Sequence, residues 1–282
     1  MLETHGLLLG ALALGGAAPQ GPSPFANALR KRVGTAVLAL GLLLRGGAAF
    51  AQCPIPAEDF EPDPEFTSSF MLERCKFDTK GENPFFPLRP GWQIVLESDE
   101  EMSVITVLHA THKVSGIWTR VVEEFEYEKD GADLSPVERS LNFMAQCRQT
   151  GSVHYFGEKV FFFDDEGNPI PGTGGWQHKL NGALAGIIMP GTILVGGGYY
   201  QEIAPEDSAL DKGRIQALEE SCEVGDFEFG QCVEIVDTSD CDPDSEDVKL
   251  YAEGIGNVVD EDLEVTSFGF VGKSRAMPDD DD

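Results

Sequence analysis

Hydrophobic positions divide this chain into three stretches of different character. Residues 33–44 are an apolar run, residues 52–83 are rich in Pro, Asp and Glu with few β-branched positions, and from Trp92 onward apolar and polar residues alternate in short segments. Alternation of period two is the mark of half-buried strands. It predicts strands over 92–96, 102–114, 117–128, 137–148, 152–163, 199–203 and 228–236, with a last pair beginning at 249–252 and ending near 271. The pattern is clearest in 117–128. There Ile117, Thr119, Val121, Glu123, Phe125 and Tyr127 fall on one face, and Trp118, Arg120, Val122, Glu124 and Glu126 on the other. Neither face stays apolar to its far end, which reads as a long strand leaving the core.

Turn residues punctuate these segments. Ser115-Gly116 suits a tight hairpin, Lys129-Asp130-Gly131 and Thr150-Gly151 mark the next two reversals, and the run from Asp164 to Asn168 closes another. Residues 169–175 form a Gly/Pro loop and 186–190 a buried apolar stretch. A short helix is expected within 208–220, where Leu210, Ile215 and Leu218 are loosely periodic. Consecutive hairpins without βαβ spacing predict a mainly β fold, an antiparallel meander forming a barrel, half-barrel or sandwich. The organisation expected is a signal region over 1–51, an extended, disulfide-pinned arm over 52–91, a β domain over 92–275 and a disordered acidic tail over 276–282.

The apolar run over 33–44 follows Arg30, Lys31 and Arg32 and leads to Ala49-Phe50-Ala51, the small-residue pattern of signal-peptide cleavage before Gln52. The segment before Arg30 reads poorly as structure and suggests a start called too early, with initiation at Leu29 as one alternative. At 12 residues the run is short of the roughly 20 that span a bilayer, so no stable membrane span is expected once the signal is cleaved. Lipidation at Cys53 is disfavoured because Gln52 precedes it. The expected location is periplasmic or secreted.

Charge then narrows the partners. Cleavage removes four basic residues and one acidic, leaving 16 against 48, a net charge of −32 where the full chain has −29. Such an excess repels nucleic acid and anionic membranes, and it favours solubility, cation association or life in salty water, a solvated acidic surface being the plainest reading. All six cysteines, Cys53, Cys75, Cys147, Cys222, Cys232 and Cys241, follow the cleavage point. An even count in an exported chain reads as three disulfides, with 15 pairings open. The pairing favoured is Cys53 with Cys75, one bond within the group Cys222, Cys232 and Cys241, and Cys147 with the member left over.

Five strings stand in order between residues 83 and 260: Asn83-Pro84-Phe85-Phe86-Pro87-Leu88-Arg89-Pro90-Gly91-Trp92, His154-Tyr155-Phe156-Gly157-Glu158, Gly186-Ile187-Ile188-Met189-Pro190-Gly191, the run from Tyr200 to Asp207, and Tyr251-Ala252-Glu253-Gly254-Ile255-Gly256. Together they resemble a family of uncharacterised secreted bacterial proteins and lipoproteins. The resemblance implies an exported β-rich domain and leaves activity open. It departs at His154, where the family pattern has Trp, and in its cysteines, most of which the family lacks.

Candidate chemistry is sparse. No Gly-x-Ser-x-Gly elbow, Walker loop or His-Glu-x-x-His occurs. His109 and His112 are separated by an odd number and so face opposite sides of a strand. His154 and Glu158, four apart, share a strand face, with Phe156 between them and Trp176 and His178 available from the following loop. These five are the candidate ligand-binding residues. Asp240, Asp242, Asp244 and Glu246 space carboxylates two apart as Ca²⁺ loops do, without the Gly and Glu of an EF-hand. No cofactor is demanded by a motif; Ca²⁺ is the candidate ion. The leading reading is a non-enzymatic, exported, disulfide-bonded β domain that binds a ligand or protein partner at the cell envelope. The alternatives are a divalent-cation-stabilised structural or surface protein, and a hydrolase using His154 and Glu158.

Overall fold

Each hairpin pairs with the next, and the succession runs on until its two ends meet in one stretch of chain. The computed structural model describes residues 53–164, 166–171 and 174–272, all within one compact unit. The predicted signal and acidic tail lie outside the described residues. In chain order the strands are β1 (Phe77–Asp78), β2 (Glu82–Asn83), β3 (Phe86–Pro87), β4 (Trp92–Glu97), β5 (Glu101–Val114), β6 (Ile117–Asp130), β7 (Asp133–Cys147), β8 (Val153–Phe162), β9 (Leu184–Met189), β10 (Gly198–Tyr200), β11 (Glu202–Ile203), β12 (Asp211–Glu219), β13 (Cys222–Val224), β14 (Phe227–Phe229), β15 (Cys232–Ser239), β16 (Asp247–Ala252), β17 (Gly256–Asp260) and β18 (Leu263–Phe270).

The main sheet has the order β10-β12-β15-β16-β17-β18-β4-β5-β6-β7-β8-β9-β11, antiparallel throughout, with β1 added to β7. β10 and β11 are two halves of one segment broken at Gln201. Tyr199 pairs with Gly213 of β12, and Ile203 with Leu184 of β9. The sheet is thereby nearly closed into a barrel, one of the three architectures expected. The β5–β6 turn has Ser115 at φ 46° and Gly116 at φ 91°, the left-handed pair that a two-residue hairpin of primed type demands. Among the described residues no helix is long and apolar enough to cross a membrane.

Two strand expectations need correction. The helix expected within 208–220 is β12, and its alternation is hidden because both faces are covered. Leu210, just before it, packs with Tyr200 and Ile203 on one side, while Ile215 joins the core with Val233 and Ile235 on the other. The strand expected over 228–236 begins at Cys232 instead. Phe227 and Phe229 belong to the separate β13–β14 hairpin, which lays Val224 and Phe229 on a second apolar cluster beside Leu250 and Val265.

The arm straps the closing seam. Thr67 bridges Tyr199 in parallel, with Thr67 N–H donating to Gly198 O (2.9 Å) and Tyr200 N–H to Thr67 O (2.9 Å). Phe60 and Phe66 set their rings 6.1 and 6.3 Å from Tyr200. The disulfides are Cys53–Cys241, Cys75–Cys147 and Cys222–Cys232. The bond within the C-terminal group is as expected; the Cys53–Cys75 pairing and the assignment of Cys147 are corrected. Because the arm crosses the barrel instead of folding on itself, its two cysteines meet separate partners, Cys147 at the end of β7 and Cys241 just beyond β15. Three disulfides suggest an oxidising, extracytoplasmic environment.

Antiparallel order places alternate connections at opposite ends of the barrel. One end is closed by the β2–β3 hairpin, which carries the Asn83–Trp92 string. Asn83 Nδ2 donates to Gly151 O (3.0 Å) and Pro190 O (3.1 Å), and Trp92 Nε1 to Ile255 O (2.9 Å). Phe85 and Leu88 are thereby buried in the core. The connections at the other end bear Asp99, Glu100, Asp242, Asp244, Glu261 and Asp262. The result is a cup with an apolar floor and an acidic mouth.

Candidate functional site

The inward faces of the long strands are apolar near the floor and become carboxylates toward the mouth. Along β6 the series is Val122, Glu124, Glu126; along β7 it is Met144, Asn142, Ser140, Glu138; along β16 it is Tyr251, Lys249, Asp247. With Tyr155, Glu158, Glu202, Asp211, Asp237, Asn257 and Asp260 these residues line a cavity of about 420 Å³. Its described lining holds ten carboxylates and a single amino group, Lys249. The polar far end of β6 thus forms the wall of the lumen at Glu124 and reaches the solvated rim at Glu126 and Glu128.

Few of these acids have cations opposite them. Lys249 Nζ donates to Asp260 Oδ2 at 3.0 Å and lies 3.9 Å from Asp237 Oδ2. Burial pulls its ammonium down, and the carboxylates of Asp260 and Asp237 reverse this and hold it above the ordinary lysine range. Asp237, 8% exposed, also accepts from Gln201 Nε2 at 2.8 Å. Burial pushes its carboxyl up to about 7, Lys249 opposing and Asp260 and Asp211 adding to the rise. Burial, then Glu158 and Glu124, raises Glu138 to about 7. Burial, then Glu124 and Glu138, raises Glu126 to about 8. Glu126 stands at the exposed rim, where solvent screens it. Glu124, Glu158 and Glu202 are raised too, each chiefly by burial.

Hydrogen bonds hold the acids deep in the cup in place. Tyr155 Oη lies 2.6 Å from Asn142 Oδ1 and 2.8 Å from Glu158 Oε2. The phenol's hydrogen bond to Glu158 favours the carboxylate and opposes the burial that raises it. Glu202 accepts from Trp176 Nε1 at 2.6 Å and shares a hydrogen bond with Asp211. Among the described residues lining the cavity one buried acceptor stays unmet. Asn257 is 7% exposed, its Nδ2 donates to Asp260 Oδ2 at 3.1 Å, and its Oδ1 has no partner.

The predicted ligand-binding residues divide between the two sides of the wall. Glu158 lines the lumen, and Trp176 reaches it from behind through Glu202. His154, Phe156 and His178 lie on the outer side. The expectation that His154 and Glu158 share a face is corrected by a β-bulge. Asn142 pairs with Glu158 and Met144 with Tyr155, so two residues of β8, Phe156 and Gly157, oppose one of β7 and the parity inverts. Gly157 makes this possible at φ 134°, where an added Cβ collides with the Trp176 carbonyl oxygen. Gly157→Ala is expected to cost about 3 kcal/mol or more, read as a fall in the urea midpoint at unchanged slope. An unchanged midpoint would show that the bulge is not needed.

His154 is enclosed by Phe77 (5.4 Å between ring centroids) and Phe70 (6.0 Å) beneath the arm. Burial lowers its imidazole to about 4, with a hydrogen bond to the Gly186 backbone opposing. His178 Nδ1 accepts from Ala185 N–H at 3.0 Å, and its ring meets Phe156 edge-on at 5.8 Å. His112 stacks on Phe143 at 4.3 Å while His109 lies beside Gly91, so the two do not converge.

The alternating acids also part company. Asp240 turns toward the arm, where it pairs with Lys212 and accepts from Tyr200 Oη at 2.6 Å. Asp242 lines the mouth of the cavity, and Asp244 and Glu246 are exposed outside it. Among the described residues the group of three ligand-type atoms within 4.8 Å of one another is Cys75, Cys147 and His154, two of them already joined as a disulfide.

Sequence reasoning, which singles out Glu158 and, from the Tyr200–Asp207 string, Glu202 as possible ligands, missed most of the lumen, Glu124, Glu138, Asp211, Asp237, Lys249 and Asn257 among them. The available signal was the persistence of period-two alternation past the apolar part of 117–128. Comparison with protein-family models, with curated proteins and with solved structures finds no match to this chain.

Proposed function

We propose that this protein is an exported, non-enzymatic binding domain whose barrel lumen takes up a cationic ligand at the cell envelope. The observation that carries the reading is the lumen itself: ten carboxylates face one amino group around a cavity of about 420 Å³, and a buried amide oxygen within it has no donor. Crowded, desolvated carboxylates destabilise a fold unless something neutralises them, and they attract positive charge strongly. A hydrolytic role finds little support. His154 and Glu158, the pair on which it would rest, lie on opposite sides of the wall.

The test is intact mass, native against denaturing, on protein purified from an oxidising export compartment and incubated with amines or metal salts. The expected result is a native mass excess that is lost on denaturation, with six hydrogens missing from the denatured chain for three disulfides. A bare native mass under every cation would contradict the binding role. Turnover of an ester, lipid or glycan that Glu158→Gln abolishes would contradict the non-enzymatic one.

A further inference from the structure

We infer that the lumen's ligand is a linear polyamine, an alkyl chain carrying two or more ammonium groups, and not a single metal ion. This rests on the reading of the lumen as a cation site.

Donor spacing separates the two. A bound Ca²⁺ gathers 6–8 oxygens at about 2.3–2.6 Å, which brings those oxygens within about 5 Å of one another. The one such convergence of three ligand groups among the described residues is Cys75, Cys147 and His154, on the far side of the wall. The lumen carboxylates are instead spread over its depth. Glu202, 7% exposed and bonded to Trp176 and Asp211, is held deep in the cup, while Glu126 and Asp242 stand at the exposed rim. Charges distributed along a channel match charges distributed along a chain.

Lys249 shows how such a group is received. It is an alkylammonium inside the lumen, donating to Asp260 at 3.0 Å with Asp237 at 3.9 Å. An ammonium brings three donors and no acceptor, so it suits both carboxylates and the free Oδ1 of Asn257. Between the acids the wall offers Phe86, Met144, Tyr155 and Tyr251, apolar surface on which methylenes lie favourably. The volume falls within the range of small organic ligands.

The experiment is calorimetric titration of the disulfide-bonded protein at pH 8 and low salt with spermidine, and separately with CaCl₂ at matched ionic strength. One spermidine per protein is expected, with affinity falling as the amine is shortened to butylamine, and with Ca²⁺ unable to displace it stoichiometrically. Glu202→Gln/Asp211→Asn should weaken spermidine about tenfold. If that variant does not fold, Asn257→Leu, which keeps every carboxylate, should weaken it several-fold. Stoichiometric Ca²⁺ binding with silent spermidine would overturn the polyamine and leave the cation site standing. Silence from both would overturn the site. Spermidine binding that neither variant weakens, or that exceeds one equivalent, would place it on the acidic surface and overturn the inference.

Discussion

Raising the pH from 5 to 8 at low salt lowers the melting temperature of the unliganded protein by roughly 10 °C, and spermidine at pH 8 restores most of the loss. The cause is the direction in which the lumen acids are shifted. Asp237 ionises near 3.8 in the unfolded chain and is pushed up to about 7 in the fold, and Glu138 rises from 4.5 to about 7. Between those values the folded state holds protons that the unfolded state has released, so stability falls as pH rises. It is fully present below about 4 and lost through pH 7. Asp237 alone accounts for roughly 2–3 kcal/mol between pH 5 and 8, and a domain of this size loses roughly 2–4 °C per kcal/mol. Glu126, at the solvated rim, extends the window toward 8 with less weight. Asp78 and Glu97 work the other way. Hydrogen bonds and ion pairs with Arg148 and Lys129 outweigh the desolvation of each carboxyl and hold it below its usual range, so their stabilisation is lost as pH falls below about 4. Stability should therefore peak between about pH 4 and 5. A melting temperature that climbs between pH 5 and 8 would mean that the lumen carboxylates are satisfied in the empty protein.

Removing the Cys53–Cys241 bond with paired serine substitutions should produce the largest effect of any change outside the core. The bond spans 188 residues against 10 for Cys222–Cys232. In the chain-entropy account these correspond to about 5 and about 3 kcal/mol. The structural consequence goes beyond that difference. The bond anchors the start of the arm where Phe60 and Phe66 cover Tyr200, Ile203 and Leu210, each at most 3% exposed. An unanchored arm uncovers the segment at which the barrel closes, and each uncovered side chain costs about 1.5–3 kcal/mol. Limited proteolysis should then cut first within residues 53–76, and urea unfolding should show a lowered midpoint. Equal midpoints for the two disulfide variants would contradict the role assigned to the arm.

The hairpins β5 to β8 were legible because period-two alternation and turn residues are local signals. Closure was not, since it depends on Tyr199 meeting Gly213 and Ile203 meeting Leu184, pairings that leave no trace in neighbouring residues. The lumen was misread for a related reason. Alternation separates two faces but does not say which one meets water, and in a barrel the polar face of β6 is the enclosed one. The bulge at Gly157 defeated the parity argument that joined His154 to Glu158, since an inserted residue inverts every face beyond it. The strand β12 lost its alternation because the arm side and the core side are both covered. The disulfide map followed the path of the arm, which composition does not encode.

The central claim is that the lumen acids are kept for binding at a cost in stability. It is tested most directly by melting Glu202→Gln/Asp211→Asn beside the natural sequence at pH 8, each with and without spermidine. The amide oxygen that replaces the Glu202 carboxyl can still accept from Trp176, and the carboxyl pair becomes neutral without loss of shape. The account predicts a variant that melts higher than the natural protein when unliganded and gains little from spermidine. A variant that melts lower unliganded, with the spermidine response intact, would show that these carboxylates hold the barrel together and do not receive its ligand.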